Sequence, residues 1–134
     1  MNTVHIATLT AILLLIASTT RGGELAQTPP ADCDSTQQAM NACAAQRYTQ
    51  ADDALNRAYR AARSAARDEA AQARLRAAQR AWIVFRDKDC LAQAGPREDG
   101  GSIWPLQQYG CLERHTLRRT EDLRQQACGM EGCR

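Results

Sequence analysis

One uncharged apolar run, Ile6 to Ala17, opens the chain and is not repeated. It falls short of the roughly 18–20 apolar residues that span a bilayer. Small residues follow (Ala17, Ser18, Thr19, Thr20), then Arg21-Gly22-Gly23. That order predicts a signal peptide over residues 1–23, cleaved near 19–23, although no Lys or Arg precedes the run. Cys33 follows Pro30-Ala31-Asp32, which is not a lipobox, so no stable membrane anchor is expected. Residues 24–34, with Pro29-Pro30, read as a flexible approach.

Beyond residue 34 the pattern changes to three- and four-residue steps. Ser35 or Thr36 can cap a first helix that runs to about Ala66, with Tyr48, Asp52, Leu55, Tyr59, Ala62 and Ala66 on one face. Arg67-Asp68-Glu69 marks a break. A second helix is expected from about Ala70 to Gln93, burying Ala71, Leu75, Ala78, Trp82 and Phe85 and stopping at Gly95-Pro96. Residues 94–102 form a loop on every local criterion. Pro105 is expected to start a third helix, interrupted at Gly110, with Tyr109, Leu112, Thr116 and Leu123 inward. No strand alternation occurs. The expected fold is all-α: a small disulfide-stapled antiparallel bundle of about three helices over residues 35–127, with a cysteine-containing tail at 128–134.

Composition explains why staples are needed. The chain has one Phe, two Trp and three Tyr, and much of its 44% hydrophobic fraction is Ala. Alanine burial contributes little at roughly 25 cal/mol per Å². Six cysteines, none in the leader, therefore read as disulfides formed in an oxidising space, periplasmic or extracellular. With one histidine outside the leader (His115) and no CxxC pair, no metal or other cofactor is expected. Helical spacing favours Cys43–Cys90, then Cys33–Cys111, with Cys128 and Cys133 closing their own loop. A Cys33–Cys43 bond is disfavoured, because ten residues of helix span about 15 Å while bridged Cα atoms lie about 4.4–6.8 Å apart.

Charge and motifs narrow the function. The net charge is +2, and the basic residues are interleaved with Ala and acids, which argues against nucleic acid. There is no credible nucleophile–histidine pair, HExxH or Gly-rich phosphate loop, so the chain is read as a non-enzyme.

Three blocks stand out: Asp52-x-x-Leu55-Asn56-x-x-Tyr59; Ala78-Gln79-Arg80-Ala81-Trp82-Ile83-x-Phe85-Arg86-Asp87-x-x-Cys90; and Gly101-Ser102 with Cys111, Thr116, Arg119 and Leu123. With Cys33 and Cys43 they resemble the LprI-type lysozyme inhibitor family over about residues 33–124. The resemblance implies a secreted helical module whose partner is a protein, a lysozyme or another cell-wall hydrolase. An envelope adaptor that inhibits nothing is the alternative.

Asp52, Leu55, Asn56, Tyr59, Gln79, Trp82, Arg86, Thr116 and Arg119 are read as mainly structural. The Arg86 guanidinium is expected across Trp82 and paired with a carboxylate such as Asp52. Tyr48 and Tyr59 are core residues with a wet hydroxyl, and His115 is an exposed surface residue. The candidate interface is the loop carrying Glu98, Asp99, Ile103 and Trp104, since aromatic anchors on rigid loops often carry recognition. A near-neutral domain offers no global electrostatic steering, and the oligomeric state is left open.

Overall fold

The computed structural model describes residues 32–129. The expected signal peptide, most of the approach segment and the end of the tail lie outside them. Three helices make up the fold: α1 (Gln37–Ala65), α2 (Glu69–Ala94) and α3 (Trp104–Cys128), with one 3₁₀ turn at Gly101–Ile103. No strand occurs among the described residues.

The helix ends follow local chemistry. The Thr36 side chain accepts from Ala39 N at 3.1 Å, and Asp68 accepts from Ala71 N at 2.7 Å. Each satisfies a backbone donor that an α-helix leaves unpaired. Gly95 ends α2 with φ 71°, a conformation that favours glycine. The third helix begins at Trp104, with Pro105 in its first turn, and continues through Gly110 without a break. Gly110 has helical neighbours on both sides and only the end of the Arg114 side chain near its open face, so nothing there stops the helix.

Residues close in sequence order run antiparallel, α1 to α2 and α2 to α3. The most intimate pair is nevertheless α1 with α3, which run parallel. Its basis is a seam of small side chains: Ala44, Ala51 and Ala58 recur every seven residues on α1, interleaved with Leu55 and Ala62, and all are buried. Small side chains let the backbones approach. The expected α1 stripe is shifted: Tyr48, Asp52, Tyr59 and Ala66 flank this seam and are half-buried.

The α2 stripe is corrected more sharply. Phe85 is 56% exposed and Ala78 is exposed, while Gln79, Arg86 and Cys90 are buried. Leu75, Gln79, Trp82, Arg86 and Cys90 also recur at three- and four-residue steps, one row away from the apolar choice. Gln79 and Arg86 can occupy that row because partners on α1 and α3 meet them.

Two apolar clusters result. Leu55, Ala58, Ala62 and Leu123 form one, with Trp82, Leu75 and Tyr59 against it. Cys90, Cys111 and Leu112 form the other, with Tyr48 and Tyr109. A polar layer of Arg86, Thr116 and Thr120 lies between them.

The disulfides are Cys33–Cys43 and Cys90–Cys111, which overturns Cys43–Cys90 and Cys33–Cys111. Cys33 sits in a turn before α1, not in helix, so the chain doubles back and its Cα lies 5.7 Å from that of Cys43. Because α3 starts early, Cys111 is already two turns in and level with Cys90. The backbones of α1 and α2 hardly approach, which leaves no place for a Cys43–Cys90 bridge. Cys128 is also disulfide-bonded, and the expected pairing with Cys133 lies outside the described residues. No described helix is long and apolar enough to cross a membrane.

Candidate functional site

The motif residues converge on Arg86. Its side chain is only 8% exposed, and its Nε donates to Asp87 Oδ1 at 2.9 Å. Nη1 reaches Thr116 Oγ1 at 3.4 Å and faces Asp52 Oδ1 at 3.7 Å. The guanidinium lies 5.1 Å from the Trp82 ring centroid and 5.6 Å from that of Tyr48. One cation thus joins all three helices, as the sequence suggested for Trp82 and Asp52. Burial raises the Tyr48 hydroxyl pKa above its ordinary value of 10.0, although the adjacent Arg86 opposes the shift.

Around this centre the other motif residues bridge helices. Arg119 Nε donates to Gln79 Oε1 at 3.1 Å, linking α3 to α2. Asn56 Nδ2 donates to Asp52 Oδ2 at 3.0 Å within α1. Because α1 and α2 meet only through long side chains, a groove of about 360 Å³ remains between them. Asp52, Leu55, Asn56 and Tyr59 form one wall, and Arg76, Gln79, Arg80, Ile83 and Arg86 the other. Arg76, Arg80 and Ile83 were missed as site residues by sequence reasoning. Their signal was the helical spacing about Gln79: Arg76 lies one turn before it, Ile83 one turn after, and Arg80 is its immediate neighbour.

The predicted interface lies at the opposite end from the α1–α2 connection. Trp104 folds onto the bundle end: its Nε1 donates to Gly95 O at 2.9 Å, and Arg97 lies 5.7 Å from its ring centroid. Gly100 packs so closely that an added Cβ would sit 2.4 Å from Trp104 Cδ1. Asn41 Nδ2 donates to Ser102 O at 2.8 Å, tying the loop to α1. Trp104 therefore braces the loop, while Glu98, Asp99 and Ile103 are exposed on it.

Sequence position conceals a charge asymmetry that the fold exposes. The loop end gathers residues 32–47 and 86–115, which carry seven carboxylates against five cationic side chains. The remaining described residues carry six carboxylates against ten arginines. A near-neutral chain thus has an acidic pole and a basic pole.

His115 is not the exposed residue expected. Its side chain is 18% exposed, and Nε2 donates to Asp89 Oδ2 at 2.7 Å. Phe85 packs against its ring edge-on. Cys90, Cys111 and His115 place their sulfurs and a ring nitrogen within 4.8 Å of one another. The sulfurs are bonded to each other, so in the oxidised protein they are not thiolate ligands.

The chain is 38% identical over 129 residues to an uncharacterized protein of Rhizobium meliloti, covering 86% of this chain and 91% of that one. No solved structure matches. The family model described as "Lysozyme inhibitor LprI" matches residues 30–123, a span that includes the Arg86 layer, both described disulfides and the braced loop. The chain therefore belongs to the lysozyme inhibitor LprI family.

Proposed function

We propose that this protein is exported, through cleavage of residues 1–23, and acts outside the cytoplasm by binding and inhibiting a lysozyme or another peptidoglycan-cleaving enzyme. Membership of the inhibitor family carries the reading. The acidic pole supports it, because familiar lysozymes are strongly cationic and complementary charge speeds association. The exposed Glu98, Asp99 and Ile103 sit on a loop braced by Trp104 and by the hydrogen bond from Asn41. A loop already ordered loses little entropy on docking. It would enter the enzyme's cleft and exclude the glycan without chemistry of its own.

The test is a titration of the oxidised mature domain into chicken-type and goose-type lysozyme assays on bacterial cell walls, with a reduced and alkylated control. Saturable inhibition near equimolar ratio, lost on reduction, is expected. Folded protein that inhibits no lysozyme class would replace this reading with that of an envelope adaptor.

A further inference from the structure

The α1–α2 groove contains cationic groups that the fold does not use. Arg86 is committed to Asp87, Thr116 and two aromatic rings. Arg76 and Arg80 line the same groove and make no ion pair or hydrogen bond with any described side chain. Arg76 is half-buried even so. The two stand one helical turn apart, an arrangement in which like charges destabilise a helix. Gln79 lies between them, and its carbonyl oxygen is taken by Arg119, which leaves its NH2 group unbonded. Positions 76, 79 and 80 thus place three sets of free donors on one turn of α2.

The facing wall sets the rest of the chemistry. Asp52 divides its oxygens between Asn56 and Arg86 and does not neutralise Arg76 or Arg80. Its negative charge at the inner end disfavours a second anionic group there. Asn56 donates to Asp52, so its carbonyl oxygen is left to accept a hydrogen bond. Leu55, Tyr59 and Ile83 supply apolar surface, with Ile83 38% exposed.

We propose that this groove is a binding site for the carboxylate end of a short peptide. The guanidinium forks of Arg76 and Arg80 and the Gln79 amide hold the carboxylate. The Asn56 carbonyl accepts from a peptide N–H, and a small apolar side chain rests on Ile83 and Tyr59. A groove of about 360 Å³ accommodates a ligand of dipeptide size. The ligand of this site is distinct from the enzyme proposed above.

The experiment is an NMR titration of the oxidised protein with acetyl-dialanine, its C-terminal amide and inorganic phosphate, following the Arg Nε–Hε and Gln79 NH2 signals. Saturable shifts at Arg76, Gln79 and Arg80 are expected for the free carboxylate. The amide should bind about tenfold more weakly, the cost of one charge-assisted contact. Arg76→Gln with Arg80→Gln should abolish the shifts while the far-UV circular dichroism stays that of the parent. Absence of saturable shifts in the parent protein overturns the site. So does equal binding of the amide, phosphate binding as tight as the peptide, or persistence of the shifts in the double variant. None of these readouts involves a lysozyme, so this site and the inhibitory function fail or stand separately.

Discussion

At the scale of single residues, Arg86 sets the terms. Its neighbours reward a planar cation: two aromatic faces, one threonine hydroxyl and a carboxylate in contact with the fork. Lysine has neither the plane nor the fork. Arg86→Lys should therefore cost roughly 2–3 kcal/mol in urea denaturation, within the range for losing buried charge-assisted bonds. Asp52→Asn should cost less than about 1 kcal/mol, because the pair is 3.7 Å long and Asp52 is 40% exposed. Tyr48 gives a pH signature. Its folded pKa is raised, so the fold prefers the neutral phenol. Below the ordinary value of 10.0 both states hold the proton and stability is full. Above it the unfolded chain ionises first, and stability falls as pH rises through the raised value. Urea midpoints from about pH 9 to about pH 11 should decline less steeply in Tyr48→Phe than in the parent. The aromatic and charged types at these positions were legible from the motif. That Arg86 is buried was not, since burial depends on a threonine thirty residues away.

Helices α1 and α3 lock together through small side chains, whereas α2 presents a broad face to solvent. Leu123 is 0% exposed at the centre of the larger cluster, and Phe85 is 56% exposed on α2. Leu123→Ala should cost about 3–5 kcal/mol and Phe85→Ala less than about 1 kcal/mol. Thermal unfolding of the two variants checks the contrast, and equal losses would contradict the assigned α2 face. The sequence pattern alone points the other way for Phe85, because a phenylalanine on a three-and-four repeat looks like core. Its neighbour Arg86 occupies that position because the gap between α1 and α2 is lined by polar partners. Helix limits near residues 36, 66, 69 and 94 were readable because capping and glycine chemistry is local.

Across the whole molecule, charge separation matters more than net charge. A value of +2 suggests indifference to a cationic partner, yet the fold gathers acids at the loop end. Inhibition through that pole should weaken as ionic strength rises from about 0.05 M to about 0.5 M, since screening shortens the reach of surface charge. Reversing Glu98 and Asp99 together to arginine should slow association with a cationic lysozyme by about tenfold or more, with unfolding nearly unchanged. Stopped-flow association rates and thermal melts read these two quantities separately. The disulfides act at the same scale. Cys90–Cys111 closes a loop of 21 residues, worth about 3 kcal/mol by chain entropy. Reduction should therefore lower the melting temperature and loosen the joint between α2 and α3.

The sequence by itself determined the helical class, the three elements, the start of the first helix, the stop of the second and the family, because periodicity, turn chemistry and motif identity are written along the chain. It also placed Trp82 with Arg86, since one helical turn fixes that distance. Only the tertiary structure decided the disulfide partners, the burial of Gln79 and Arg86, the enclosure of His115 and the bracing role of Trp104. Each depends on which helix faces which. The seam of alanines brings α1 against α3 and leaves α2 standing off, and that choice opens the groove, separates the charges and joins Cys90 to Cys111.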